Sequence, residues 1–135
     1  MENDYNVHPR LEFINNKSIA EADKDGVIVT HHEGAVIFAA ERVIAREYTW
    51  VKDTLEKELK ALADAVEDQG GLVGHIKAFL TDQSNSAMLS ATDGNVQIKE
   101  TRHPKVMVNI AAIVFVKNEV LLHKKFADML IKLAS

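Results

Sequence analysis

An almost unbroken apolar run at residues 106–116 constrains the fold of this chain more than any other feature. Ten of its eleven residues are apolar, and Asn109 is the one polar side chain. Valine is the commonest residue, and β-branched side chains fit a pleated strand better than a helix. Because the run does not alternate between polar and apolar residues, we predict a strand covered on both faces, with a buried helix as the alternative.

Two other segments, 49–69 and 119–133, have helical periodicity. Apolar residues recur there at steps of three or four, which places one apolar stripe on each predicted helix. We predict Thr49 and Asn118 as the N-caps. Gly70 and Gly71 should end the first helix, one of them in the left-handed conformation.

Two tight turns predict β-hairpins. Asp93-Gly94 separates 86–92 from 95–100, and Asp-Gly tolerates the positive φ of a two-residue turn. The predicted register places Ala91 opposite Val96 and Leu89 opposite Ile98 on a dry face. On the wetter face it pairs Ser90 with Gln97 and Met88 with Lys99.

Glu33-Gly34 separates residues 27–32 from 35–44 in the same way. We interpret 35–44 as a strand that pairs with 27–32. The alternative is a helix over 35–46, which the alanines with Glu41 and Arg42 favour. Residues 11–14 are predicted as a short edge strand and 18–24 as one or two helical turns.

A further strand is predicted at 72–80, where residues alternate between two faces. One face holds Leu72, Ile76, Ala78 and Leu80, and the other holds Val73, His75, Lys77 and Phe79. Gly74 has no side chain there, so something should approach the backbone closely.

These elements predict a single domain over residues 1–135 with an α+β fold. We expect a two-layer sandwich, with a mainly antiparallel sheet of about four to six strands and two main amphipathic helices. Two helices can scarcely cover both faces of a sheet whose central strand is apolar on both sides. We therefore predict a homo-oligomer packed through sheet faces or edges. An N-terminal segment folded over the sheet is the monomeric alternative.

Charge and composition narrow the class of partner. The net charge is −4 and no cluster of Lys or Arg stands out, so we expect no nucleic-acid binding. The absence of cysteine excludes disulfides and thiolate metal sites. The residues after Met1 do not form a secretory signal, and the longest apolar run is too short to span a bilayer. We expect a cytoplasmic protein without a membrane partner.

Polar side chains in predicted strands supply the candidate sites. His75 and Lys77 share one face and could bind an anion, and Asn109 must find a hydrogen-bond partner among apolar neighbours. These three are the candidate ligand-binding residues. His32 and Glu33 are candidate metal ligands, which would need a third ligand such as His75 or His103.

No motif specifies a cofactor or substrate. The favoured hypothesis is a small, non-catalytic, self-associating protein that binds a small ligand or a protein partner. The alternative is a small oligomeric enzyme, possibly metal-dependent, that acts on a small polar substrate through His75 and Lys77 with His32 or Glu33.

Overall fold

The computed structural model describes residues 22–135. In chain order the elements are β1 (Ile28–His32), β2 (Ala35–Ile44), α1 (Tyr48–Asp68), β3 (Leu72–Asp82), β4 (Asn85–Thr92), β5 (Asn95–Arg102), β6 (Val106–Phe115) and α2 (Glu119–Ala134). The predicted α+β class is confirmed. The predicted strand at 11–14 and most of the helix at 18–24 lie outside the described residues. Within 22–135, no helix is both long and apolar enough to cross a membrane.

Within the described part of the chain, the main sheet has four antiparallel strands in the order β1-β2-β6-β3. The apolar run predicted as the central strand is β6, and it lies between β2 and β3. The ambiguous segment 35–46 is a strand over Ala35–Ile44, which pairs with β1 through the Glu33-Gly34 turn. Both turn residues have positive φ, 50° at Glu33 and 86° at Gly34, as a tight hairpin turn requires.

Both described helices pack on one face of this sheet, which we call the core face. The core face of β6 contributes Val106, Val108, Ile110, Ala112 and Val114, each at most 1% exposed. On α2, Phe126 stacks on Phe38 of β2 with 5.8 Å between ring centroids. The opposite face, which we call the second face, also contains buried residues of β6, Asn109 and Ala111.

The predicted face assignment in β3 is wrong at its start. A β-bulge between Val73 and His75 shifts the register, so Val73 packs against the core with Ile76, Ala78 and Leu80. Leu72 is instead 65% exposed. The bulge centres on Gly74, where an added Cβ would lie 3.0 Å from the carbonyl oxygen of Ile113. The expected close approach to Gly74 therefore comes from the neighbouring strand.

Two of the three predictions about the helix termini are confirmed. Asn118 caps α2, because its side chain accepts a hydrogen bond from the Leu121 amide at 3.0 Å. Gly70 has φ +77° after α1, as a left-handed C-terminal cap requires. The Thr49 cap is wrong, since the N-cap of α1 is Glu47, whose side chain makes no capping hydrogen bond.

Candidate functional site

Strands β4 and β5 form a hairpin outside the main sheet, which we call the arm. Among the strands of residues 22–135 they pair only with each other, in a two-stranded sheet, and every residue of both strands is exposed. The predicted register is confirmed, with Ala91 opposite Val96 and Leu89 opposite Ile98. At the tip, Asp93 and Gly94 have φ values of 51° and 82°, the positive pair of a two-residue hairpin turn.

One face of the arm is apolar. Leu89, Ile98 and Val96 are 64%, 61% and 65% exposed, and Ala91 completes the patch. Of the twelve large hydrophobic side chains that are exposed in the described residues, four belong to this short hairpin. Apolar patches that stay in solvent mark interaction surfaces, and a two-stranded ribbon is at best marginally stable alone.

A backbone irregularity separates the arm from the main sheet. The amide of Gln83 donates to the carbonyl of Lys105 at 2.8 Å, and the amide of His103 donates to the carbonyl of Ser84 at 2.9 Å. Pro104 is therefore an extra residue on one side of the ribbon. An extra residue bends a strand pair, and proline has no amide hydrogen to donate.

Ser84 anchors this junction, and only 4% of it is exposed. Its hydroxyl and amide both donate to Oδ1 of Asp82, and the hydroxyl accepts a hydrogen bond from the Lys105 amide at 3.2 Å. The hydrogen bonds from Ser84 hold the pKa of Asp82 below its ordinary value.

A bidentate ion pair joins the base of the arm to the start of α1. Arg102 donates from Nη1 to Oε2 of Glu47 at 2.9 Å and from Nη2 to Oε1 at 2.6 Å. These hydrogen bonds hold the pKa of Glu47 below its ordinary value and raise that of Arg102. The carboxylate that could have capped α1 is turned towards the arm. No local sequence signal connects residues 55 positions apart, which is why sequence reasoning missed this pair.

The candidate ligand-binding residues lie on the second face. His75 is exposed opposite Ile113, and Lys77 is half-buried opposite Ala111. Asn109 is buried in the central strand, between Glu41 of β2 and Phe79 of β3. The three residues thus share a face, and Lys77 and Asn109 belong to residue pairs two positions apart along the β3–β6 ladder.

The candidate metal ligands lie at the other edge of the sheet. His32 ends β1 and Glu33 begins its turn, and their side chains are 3.8 Å apart and largely in solvent. Three strand spacings, about 14 Å, separate β1 from His75 on β3. The structure does not bring His75 and Lys77 together with His32 or Glu33 into one site.

A different group of metal-type side chains does meet. Ligand atoms of Asp23, Asp25 and His123 lie within 4.8 Å of one another. Oδ1 of Asp23 already accepts hydrogen bonds from the amides of Asp25 and Val27, and Oδ2 meets His123 of α2. Desolvation raises the pKa of Asp23, but the hydrogen bonds from His123 and these amides outweigh it and lower the pKa overall. These hydrogen bonds connect the loop before β1 to α2, so the three residues have a structural role.

Comparison of the chain with protein-family models, with curated proteins and with solved structures gives no match. The groove between the two helices is lined by residues such as Glu58, Asp128 and Lys132, and by none of the predicted site residues. Three of its charged groups form ion pairs, Lys132 with Glu58 at 3.3 Å and Asp128 with Lys124 at 3.1 Å. The arm, with its exposed apolar patch, is therefore the strongest candidate for a functional surface among the described residues.

Proposed function

We propose that this protein is a non-catalytic self-associating module, in which the arms of two copies pack together through their apolar faces. The observation that supports this most directly is the exposure of Leu89, Val96 and Ile98 on one face of the arm. Burying such side chains is favourable by about 25 cal/mol per Å² of apolar surface.

A second copy of this chain suits the arm better than a charged partner. The arm carries two acidic residues, Asp93 and Glu100, and two basic ones, Lys99 and Arg102, so it has no net charge although the whole chain has −4. A twofold interface brings the same patch together from both copies and must be complementary to itself. An apolar patch without net charge meets that condition.

The size of the arm sets the strength of the expected contact. Each strand has eight residues, so the ribbon is about 27 Å long and offers about 270 Å² of flat area on one face. A stable specific interface buries about 800 Å² on each partner. The arm alone offers about a third of that area, so we expect weak, reversible self-association. Exposed Val43 and Phe79 on the second face of the sheet offer further apolar surface to the partner.

Light scattering over a concentration series tests the proposal. The native chain should rise from 15.0 kDa towards twice that mass between about 5 µM and about 500 µM. The double variant Leu89→Ser/Ile98→Ser should stay monomeric throughout. Met88→Ser is the matched control, because Met88 is 68% exposed on the other face of the same arm. A native chain that remains at 15.0 kDa, or a double variant that still dimerises, would refute the proposal.

Disulfide trapping gives an independent test, since the natural sequence has no cysteine. Ala91→Cys places one thiol on the apolar face, and Ser90→Cys places one on the opposite face. Under mild oxidation Ala91→Cys should form a covalent dimer much faster than Ser90→Cys. Equal rates would mean that the arms do not pack through the apolar face.

A cytoplasmic location belongs to the same proposal. A chain without cysteine needs no oxidising compartment in order to fold. Fluorescence microscopy of the tagged full chain, with fractionation of cell extracts, tests this location.

A further inference from the structure

We propose that the Glu47–Arg102 ion pair is a latch that fixes the direction of the arm relative to α1 and thereby controls self-association. This inference rests on the proposed function, because it concerns the same arm. It draws on a separate observation, the bidentate contact between the end of β5 and the residue that precedes α1.

The geometry of the pair suits a positioning role. Two parallel hydrogen bonds between a guanidinium and a carboxylate fix orientation as well as distance. Glu47 is held in place because its carbonyl accepts the Val51 amide at 3.0 Å in the first turn of α1, and Val51 is fully buried. Arg102 is the last residue of β5. The contact therefore ties the base of the arm to the first turn of α1.

The rest of the junction holds the arm at its base. Its backbone hydrogen bonds involve Ser84 with His103 and Gln83 with Lys105, on either side of the extra residue Pro104. Beyond them every residue of the arm is exposed. A two-stranded ribbon attached at one end bends easily, so a side-chain contact at its base has a large effect on the position of its tip.

Fixing the arm matters because its interface is small. Ordering a group on binding makes the free energy of association less favourable, and a preorganised surface avoids part of this cost. The pair is about half exposed, with side-chain exposures of 51% for Arg102 and 53% for Glu47. Salt should therefore weaken the latch, as the Debye length shortens from about 10 Å at 0.1 M to about 3 Å at 1 M.

Distance measurement between two spin labels tests the latch directly. Thr92→Cys at the tip of the arm and Lys57→Cys on the exposed side of α1 give two unique labelling sites in a chain without cysteine. The measurement is made in the Leu89→Ser/Ile98→Ser background, so that contact between arms does not restrain the tip. Glu47→Gln and Arg102→Gln should each widen the distance distribution about twofold. Without either change, 1 M salt should also widen the distribution of the labelled Leu89→Ser/Ile98→Ser chain.

Two further variants separate the latch from a general effect of charge. The exchange Glu47→Arg/Arg102→Glu restores an ion pair and should narrow the distribution again. Lys132→Gln removes one positive charge from the Lys132–Glu58 contact between the helices and should leave the distribution unchanged. A distribution that stays narrow in both Glu47→Gln and Arg102→Gln would overturn the latch.

The effect on assembly is measured in the chain with its natural apolar face. Glu47→Gln should weaken dimerisation about tenfold in the light-scattering series. If the distribution widens but dimerisation does not change, the latch does not control assembly. If the native chain never exceeds 15.0 kDa, the proposed self-association is refuted. The distance distributions then still decide whether the Glu47–Arg102 pair sets the direction of the arm.

Discussion

Acid should destabilise this fold by protonating individual carboxylates. The pKa values of Asp23, Glu47 and Asp82 are lowered in the folded chain. As pH falls below the ordinary carboxylate range, the unfolded chain therefore binds protons before the folded chain does. The stability that these groups contribute is complete above the ordinary pKa values of 3.8 and 4.5 and is lost as pH falls through the lowered ones.

We predict that Ser84→Ala and Asp82→Asn both lower stability at neutral pH and flatten its fall in acid. Ser84→Ala removes the hydroxyl that donates to the Asp82 carboxylate, and Asp82→Asn removes the ionisable carboxylate itself. Urea unfolding at a series of pH values between neutrality and strong acid measures both effects. Variants with the same acid dependence as the native chain would contradict this explanation.

Substitution by alanine should destabilise the chain to different extents at the two glycines after α1. The local sequence does not predict which substitution costs more. We predict that Gly71→Ala costs about 3 kcal/mol, since its Cβ would lie 2.6 Å from the carbonyl oxygen of Phe115. Gly70→Ala has open space and strains only a positive φ, which costs about 1 kcal/mol. Urea unfolding of both variants checks the order, and a larger cost for Gly70→Ala would contradict it. The Gly-Gly pair predicts the end of a helix, but not a close contact with a strand 44 residues further on.

At the level of elements, α2 is held by its apolar stripe. Phe126→Ala should destabilise the chain by about 3–5 kcal/mol, because the side chain is fully buried and stacks on Phe38. Val120 lies on the same helix but is 80% exposed, so Val120→Ala should change stability by less than about 0.5 kcal/mol. Thermal or urea unfolding measures both, and similar losses would mean that α2 is packed differently.

The arm should behave as a separate unit of stability. Gly94→Val forces a β-branched residue into φ +82° and should unfold the hairpin without unfolding the main sheet. Hydrogen exchange should show amide protection in β4 and β5 falling about tenfold or more, with β6 unchanged. Loss of protection throughout the chain would show that the arm supports the body.

Elements defined by local patterns could be predicted from the sequence. The register of β4 with β5 follows from Asp93-Gly94 and from alternation on either side of it. The bulge at Gly74 could not be predicted, because a register shift depends on the partner strand as well as on the residues that make it. The same limit applies to the junction, where the second hairpin strand was predicted over 95–100 but β5 continues to Arg102.

On the scale of the whole molecule, sequence reasoning found the components but not their arrangement. It identified β6 as the central strand and selected His75, Lys77, His32 and Glu33 as candidate site residues. Strand order then places these residues on opposite edges of the sheet. Two of the pairs that do form, Glu47–Arg102 and Asp23–His123, join residues 55 and 100 positions apart. Such contacts follow from topology, which a single sequence specifies only weakly.

If the arms hold two copies together, thermal stability should depend on protein concentration. We predict that a tenfold rise in concentration raises the Tm of the native chain by about 2 °C, because mass action favours the folded dimer. The Leu89→Ser/Ile98→Ser variant should have a Tm independent of concentration. Scanning calorimetry over the range used for light scattering checks both, and a native Tm that does not shift would count against a folded dimer.

The chain leaves the body at Ser84 and re-enters it at His103, and these two residues are joined by a backbone hydrogen bond of 2.9 Å. Entry and exit are thus neighbours, and β3 and β6 remain aligned whatever lies between them. The hairpin is in effect an insertion, which could be shortened, lengthened or exchanged for an unrelated loop while the layers beneath it keep their register. Evolution could therefore replace this hairpin without rebuilding the core.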